Sequence, residues 1–270
     1  MLLVEIFILL LFLPLVIGRI ILYLQFKKEV KQLFAASLSN SHHCFYYSEI
    51  EGLPEPVQRY FKHVLKDGQP FISSARLTHY GNFKPNLEKG WVSINGEQYI
   101  SVFKPGFVWK GNTNFFTARD MFLKDKGRLV VSLLSVIKIV DVKGDAYNQG
   151  ELLRWLSESV WVPTNLLPNT RLHWEAIDIN SARLIFEYNG LSIYLIVTFN
   201  SLGEIIEMES KRFMSEDKLE TWIVRPSNYA ERNNVIIPNT AEAIWKLESV
   251  EHPYAKFHLK ALDYDINEMF

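Results

Sequence analysis

The sequence is poor in the residues that characterise disulfide-stapled, fibrous or disordered proteins. Its 270 residues include one cysteine, Cys44, together with 13 glycines and 11 prolines. A single cysteine excludes an internal disulfide bond and a zinc site built from several thiolates. The low glycine and proline content, beside 48% hydrophobic residues, excludes collagen-like, low-complexity and disordered chains. We therefore expect a substantial core, rich in the aromatic residues that form 14% of the chain.

The chain also lacks an excess of charge of either sign. It carries 29 Lys and Arg against 30 Asp and Glu, a formal net charge of −1. Residues 1–40 hold 4 basic and 2 acidic side chains, so residues 41–270 hold 25 against 28. Because contacts with phosphates need clustered positive charge, we exclude a nucleic-acid partner.

Motifs of the common enzyme classes are absent from the sequence. There is no glycine-rich phosphate loop, no Gly-x-Ser-x-Gly turn and no His-Glu-x-x-His pair. His42 and His43 beside Cys44 lack the second cluster that a metal site needs, so we interpret them as part of a linker. We predict no enzyme activity, no catalytic residue, no cofactor and no metal. The remaining histidines are predicted to lie on the surface: His63, His79, His173, His252 and His258.

The longest apolar run extends from Leu2 to Phe26 and is interrupted only by isolated polar residues. At a rise of about 1.5 Å per residue, a helix of this length spans a bilayer core of about 30 Å. We therefore predict a single-pass transmembrane anchor with a juxtamembrane segment over residues 1–40. The alternative is a cleaved signal peptide with Ile6–Gly18 as its apolar core. It lacks a preceding basic region and a following small-residue cleavage site.

Beyond the anchor, the sequence predicts a single β-rich domain over residues 41–270. Apolar residues at helical spacing predict a helix from Leu53 to Leu65. After residue 70 the apolar period shifts towards two, which is typical of strands. Asn189-Gly190 predicts a type I′ hairpin and Pro105-Gly106 a type II turn. The predicted strands are Phe71–Phe83, Trp91–Phe103, Phe107–Trp109, Arg128–Leu133, Leu184–Phe186, Ser192–Phe199, Glu204–Phe213, Leu219–Arg225, Asn234–Ile237, Ala243–Ser249 and Lys256–Asp265.

A second helix is predicted within the stretch from Asn148 to Pro168. Asn148 and Glu151 have the spacing of a capping box, and Pro163 ends the helical run.

This second helix carries the candidate binding residues. Arg154 and Glu158 lie four positions apart with Glu151 one turn away, which predicts a surface ion-pair ladder of about 0.3–0.5 kcal/mol per pair. In a functional interpretation, Trp155 and Trp161 flank the charged residues at the mouth of a cavity. Arg154 then binds an anionic head group. The candidate ligand-binding residues are Glu151, Arg154, Trp155, Glu158 and Trp161.

Several motifs together resemble a family of uncharacterised bacterial proteins with an N-terminal membrane segment. They are Gly52–Phe61, Pro105–Trp109, Glu151–Pro168, and Ile237-Pro238 with Trp245, and the match spans about residues 50–266. The motifs carry no assigned chemistry, so the resemblance implies no catalytic residues. The layout also resembles lipoprotein carriers of the LolA and LolB type. That likeness implies an α+β fold, in which a large curved antiparallel sheet, or half-barrel, lies under two or three covering helices.

Two arguments from the sequence predict opposite sides of the membrane for the domain. Lys27, Lys28 and Lys31 follow the apolar run, which by the positive-inside rule favours a cytoplasmic domain. The half-barrel likeness implies the outer face of a bacterial inner membrane, and we expect this second orientation.

These observations predict a membrane-tethered module that binds an apolar or amphiphilic ligand such as a lipid. A curved sheet lined with aromatic residues beneath amphipathic helices is able to hold a cavity. The alternative is a structural or protein-interaction domain of the cell envelope with a fully packed sheet. Alternating aromatic residues line a cavity and fill a core equally well, so the sequence leaves both open.

Overall fold

A computed structural model describes residues 2–35 and 43–270, with the side chains of the first helix described from residue 13 onward. The predicted juxtamembrane residues 36–40 and His42 lie outside the described residues. The helices are α1 (Leu2–Ala35), α2 (Glu55–Val64) and α3 (Asp145–Ser157), with short 3-10 helices at Tyr47–Ile50, Glu158–Trp161 and Pro163–Leu166. The strands are β1 (Cys44–Phe45), β2 (Gln69–Pro70), β3 (Ser74–Phe83), β4 (Val92–Ser101), β5 (Gly106–Asn112), β6 (Phe116–Leu123), β7 (Lys126–Leu133), β8 (Ile137–Lys143), β9 (Leu172–Ala176), β10 (Ser181–Tyr188), β11 (Leu191–Phe199), β12 (Ile205–Ser215), β13 (Lys218–Arg232), β14 (Val235–Leu247) and β15 (Val250–Tyr264).

Strands β3 to β15 form one curved antiparallel sheet of thirteen strands. Its order is β8-β7-β6-β5-β4-β3-β15-β14-β13-β12-β11-β10-β9. Strands β3 to β8 form one meander and strands β9 to β15 form another, and the two meanders meet at a single junction. At that junction β3 pairs with β15, which joins the two meanders across the length of the chain. The prediction of an α+β fold with a large curved antiparallel sheet and covering helices is confirmed.

The two predicted turns have different outcomes. Asn189 and Gly190 have φ values of 50° and 79°, as a type I′ hairpin requires, and they join β10 to β11. The type II turn predicted at Pro105-Gly106 is wrong, because Gly106 does not adopt the positive φ of that turn. A Cβ at Gly106 would lie 2.9 Å from Leu33 and from the Phe122 carbonyl, so close packing explains this glycine.

The predicted strands miss three strands of the large sheet and divide a fourth. Strands β6, β8 and β9 were not predicted, nor were the two-residue strands β1 and β2, and the segments Asn234–Ile237 and Ala243–Ser249 belong largely to the single strand β14. Pro238 interrupts the strand pattern of β14 in the sequence, yet it stays within the pairing with β13. Charged residues obscure the alternation in β6, and both of them form ion pairs in the fold.

The main hydrophobic core covers one face of the sheet, here called the inner face. Leu77, Phe107 and Phe122 of the sheet belong to this core together with Trp155 of α3 and Tyr60 of α2. Successive residues of a strand point to opposite faces, so their neighbours in sequence lie on the other, outer face.

Helix α1 packs on the outer face of β4, β5 and β6. A second core cluster joins the last turns of the helix to alternate residues of these strands. The guanidinium of Arg119 on β6 donates to both carboxylate oxygens of Glu29 at 2.5 and 2.6 Å. The sheet is therefore covered on both faces at this end. The residues of the second cluster are Phe26, Val30, Leu33, Phe34, Tyr99, Val108 and Met121.

The prediction of a single-pass membrane protein anchored through Leu2–Phe26 is wrong for the part of the chain that the structure describes. None of the helices there is both long enough and apolar enough to cross a bilayer. Helix α1 contains Arg19 and Gln25, and near its end Phe26, Val30, Leu33 and Phe34 are buried against the sheet.

We expect the packing of α1 to contribute strongly to stability. Leu33 is 3% exposed and Leu24 is 56% exposed on the same helix. Leu33→Ala removes buried methyl groups and should lower the free energy of unfolding by about 2–5 kcal/mol. The matched variant Leu24→Ala should change it by less than about 0.5 kcal/mol. Urea unfolding of the full chain measures both, and equal effects would show that α1 does not pack on the sheet.

Candidate functional site

Helix α3 lies over the inner face and positions a stripe of side chains above it. Residues at spacings of three and four share one side of a helix, which aligns Tyr147, Glu151, Arg154 and Glu158. Leu152, Leu153 and Leu156 are fully buried and fix the helix on the core. The predicted capping box is wrong, because α3 begins at Asp145 and the Asn148 side chain instead accepts a hydrogen bond from the Gly127 amide.

A cavity of about 470 Å³ remains between α3 and the inner face. This volume lies within the range of about 300–1,000 Å³ that is typical of ligand sites. Most of the lining is apolar, and it includes the indole rings of Trp109, Trp161, Trp222 and Trp245.

Arg154 is the centre of the first of two ion-pair groups in this cavity. Its Nη1 donates to Asp120 at 2.6 Å and its Nε donates to Glu158 at 2.8 Å. Gln98 bridges the group, since its amide nitrogen donates to Glu158 and its oxygen accepts from Arg154. The guanidinium carbon lies 4.7 Å from the centre of the Phe107 ring. Arg154 is thus enclosed by two carboxylates and an aromatic ring, and its positive charge is compensated.

Arg212 of β12 is the centre of the second group. Its Nη2 donates to Glu151 at 3.0 Å and its Nε donates to the Gly150 carbonyl at 3.1 Å. The guanidinium lies over the indole ring of Trp222 at 4.7 Å. Tyr254 accepts a further bond from Arg212 and one from the Trp222 indole. This group ties α3 to β12, β13 and β15.

Glu151 is the least satisfied charged residue of the site. It is 4% exposed, and its Oε2 atom has no hydrogen-bond partner among the described residues. Burial, and next the negative charge of Asp120, raise the pKa of Glu151 to about 8. Asp120 is also within hydrogen-bonding reach, so a proton on Glu151 satisfies both carboxyl groups. At neutral pH the two groups then hold two guanidiniums and two carboxylates, which balances their charges.

His79 is buried beside this site, which contradicts its predicted position on the surface. Its Nε2 accepts a hydrogen bond of 2.7 Å from the Trp109 indole, while Nδ1 is buried without a partner. Burial, and next the charge of Arg154, lower the pKa of His79 to about 3. Gly96 allows this contact, because a Cβ there would lie 2.2 Å from His79. The imidazole is therefore neutral at physiological pH.

The structure brings four of the five candidate residues to one cavity. Glu151, Arg154, Glu158 and Trp161 line it. Trp155 does not, because its indole donates to the Ser101 carbonyl and packs against Phe186 in the core. The predicted pair of Arg154 with Glu158 forms, but the helix face is buried and not at the surface. Glu151 contacts Arg212 instead of Arg154.

Sequence reasoning missed the partners that the sheet contributes. Asp120 lies between Ala118 and Phe122 at alternate positions of β6, all three facing inward. A charged residue at an inward strand position is a signal that identifies such a partner, because an unpaired charge is costly to bury. The missed residues are Gln98, Asp120, Arg212 and Tyr254.

We expect the Arg154 group to be a major element of stability. Arg154→Ala strands two carboxylates in a largely buried site and should lower the free energy of unfolding by about 3–5 kcal/mol. The control is Arg183→Ala, because Arg183 forms an exposed ion pair with Glu175, with its Nη1 3.5 Å from the Glu175 Oε2. The control should change the free energy of unfolding by at most about 1 kcal/mol. Urea unfolding measures the free energy of unfolding of both variants. Similar decreases in the two variants would contradict the buried network.

A further prediction concerns the pH dependence of stability. A carboxyl whose pKa is raised on folding binds more protons in the folded state, so its contribution is lost as pH rises towards the raised value. His79 acts in the opposite direction below its ordinary pKa of 6.5, so the informative window lies between that value and about 8. In this window the free energy of unfolding of the wild type should fall by about 1.4 kcal/mol per pH unit relative to that of Glu151→Gln. Parallel unfolding free energies for the two proteins across this window would refute the assignment.

Comparisons with known proteins identify the family and a distant structural likeness. A putative outer membrane lipoprotein-sorting protein domain from Vibrio parahaemolyticus has 9% sequence identity and a TM-score of 0.42, over 80% of this chain and 93% of that chain. A LolA superfamily protein from Nitrosomonas europaea has 10% identity and a TM-score of 0.43, over 77% and 90%. No curated protein matches the sequence. The model of a family of unknown function, DUF6544, matches residues 43–257, and because this is more than three quarters of its length, the chain belongs to that family.

Proposed function

We propose that the cavity under α3 binds the apolar part of a lipid or another amphiphile. The observation that carries this proposal is a largely apolar cleft of about 470 Å³ between α3 and the inner face. Clefts of this size with a mostly apolar lining and a few polar groups are typical of small-molecule binding sites. Residues 41–270 form the proposed ligand-binding unit.

The lining of the cavity supports an apolar ligand over a purely polar one. Side chains from β6, β7 and β14 contribute Ala118, Leu129, Val131 and Ala243, and the tryptophan rings complete the wall. Small and branched residues leave a smooth wall that accommodates alkyl chains without specific hydrogen bonds. A structural domain with a fully packed sheet would instead have large side chains at positions such as Ala118 and Ala243.

The titratable side chains of the cavity support a binding role over a catalytic one. Arg154 is ion-paired with Asp120, and Arg212 donates to Glu151. His79 is neutral, and its Nε2 is occupied by Trp109. General bases need a free lone pair within reach of a substrate proton. The charged groups thus support the placement of α3 above the space that we assign to the ligand.

Uptake of an uncharged apolar probe tests the proposal. N-phenyl-1-naphthylamine should bind the full chain saturably, with a rise in its fluorescence. Ala118→Trp and Ala243→Trp each fill part of the cavity and should weaken this binding at least tenfold, which corresponds to about 1.4 kcal/mol. The two positions lie on different strands, so loss of folding in one variant leaves the other informative.

The matched control is Ala176→Trp on β9, where the residue is exposed. Thermal melts of all three variants report whether each one folds. Absence of saturable binding by the wild type would overturn the proposed function, and equal binding by the three folded variants would place the ligand elsewhere.

A further inference from the structure

Three connections between strands lie beside one end of the cavity, and this end is here called the rim. They are residues 84–91 between β3 and β4, residues 113–115 between β5 and β6, and residues 134–136 between β7 and β8. Pro85 in the first connection lines the cavity, as do Phe116 after the second and Ile139 after the third. Ile139 is also exposed to solvent, so the cavity reaches the surface at the rim.

Large apolar side chains are exposed along the rim. The Leu134 amide donates to the Phe115 carbonyl at 2.8 Å, so the tips of the second and third connections are in contact and form one surface. Trp91 ends the first connection and is exposed as well. The exposed apolar residues of the rim are Trp91, Phe115, Leu134, Val136, Ile137 and Ile139.

Helix α1 continues this apolar surface. Leu33 lies against Gly106 at the far end of β5, whereas Gly18 lies against the Ser135 carbonyl at the rim, so the helix runs along the sheet towards the rim. A Cβ on Gly18 would lie 3.1 Å from a methyl carbon of Val136, which places the helix directly beside this tip. The apolar residues that α1 exposes at this end are Leu13, Val16, Ile17, Ile20 and Ile21.

The charge of this surface is positive. Residues 13–24 of α1 and the three connections together contain Arg19, Lys84 and Lys89 against Glu88, which gives three basic side chains, one acidic side chain and a net charge of +2. The chain as a whole has a formal net charge of −1. Residues 25–35 of the helix add three exposed lysines and one glutamate, and that glutamate is paired with Arg119.

This combination of apolar and basic side chains favours one kind of partner. Contiguous apolar residues at the surface mark interaction sites. An anionic lipid surface attracts basic side chains beside such residues, by about 1 kcal/mol for each Lys or Arg close to it. A second copy of the chain would instead bring the same positive charge to the contact.

We propose that the rim docks on an anionic lipid surface. The exposed apolar side chains of the three connections and of residues 13–21 enter the interfacial layer, and the mouth of the cavity faces the lipid. The contact is peripheral, so no helix has to cross the bilayer. An amphiphile then passes between the lipid layer and the cavity without exposure of its apolar part to water. This inference goes beyond the proposed function, because docking does not require a ligand in the cavity.

Vesicle flotation with the full chain tests the docking. One set of vesicles contains 30% phosphatidylglycerol in phosphatidylcholine, and the other contains phosphatidylcholine alone. We expect the protein to float with the anionic vesicles and to bind the neutral vesicles at least tenfold more weakly. An increase of the salt concentration from 0.1 M to 1 M should reduce this difference, because salt screens the exposed charges.

Two variants of the rim decide where the lipid contact lies. Phe115 is 66% exposed and Ile137 is 57% exposed, so glutamate at either position is compatible with folding. Phe115→Glu and Ile137→Glu should each weaken binding to the anionic vesicles at least tenfold, because an apolar side chain no longer enters the lipid.

The matched control is Ile179→Glu. Ile179 is 73% exposed and lies in the connection between β9 and β10, outside the rim. The control lowers the net charge by the same amount as the rim variants, so it should bind within about twofold of the wild type if the rim makes the contact. Thermal melts report whether each variant folds, and the two rim positions lie on different connections, so one folded variant suffices.

The outcomes separate this inference from the proposed function. Absence of wild-type binding to the anionic vesicles would overturn the docking, and so would equal binding by a folded rim variant and Ile179→Glu. Sedimentation equilibrium provides a second check, since a wild-type dimer that Phe115→Glu dissociates would assign the surface to a second copy. Uptake of the apolar probe is measured without vesicles. Its failure would refute the proposed function and leave the docking in place, and failed docking would leave the proposed function in place.

Discussion

The hydrogen bonds of Arg154 to Asp120 and of Arg212 to Glu151 across the inner face are the interactions on which the arrangement of α3 depends. Each arginine joins the helix to strands distant in sequence, with Asp120 on β6 and Arg212 on β12 as the contributions of the sheet. Buried ion pairs stabilise a fold only when each charge has its partner, so the helix cannot move without stranding charges. The network therefore fixes the position of the helix more strictly than apolar contacts alone.

A helix held in this way explains how a cavity persists beneath it. Apolar contacts have no direction and would favour collapse of α3 onto the small residues Ala118 and Ala243. The ion pairs hold the helix at the distance that their geometry sets, with the leucines of α3 packed on one side and the open space on the other. On the outer face α1 covers β4 to β6, so the same strands are supported from both sides.

The fold was predictable where local chemistry decides it. Asn189-Gly190 needs positive φ at both residues and formed the expected hairpin, and the apolar period indicated most strands. The sequence could not indicate that Arg154 would meet Asp120, 34 residues away, or that Glu151 would meet Arg212. Such contacts depend on strand order and register, which a local pattern does not contain. Likewise, the apolar character of α1 suggested a bilayer, whereas its last turns pack on Tyr99 and Val108.

The central claim is that an alkyl chain lies against the tryptophans of the inner-face cavity. An uncharged amphiphile brominated near the end of its tail tests this directly, because bromine quenches only indoles in close contact. We expect it to quench the protein more than its unbrominated form does, and Trp109→Phe or Trp222→Phe to reduce this difference. Replacement of Trp174, whose indole donates to the Leu166 carbonyl in the core, should leave it unchanged. Equal emission with brominated and unbrominated ligand at saturation would contradict the account.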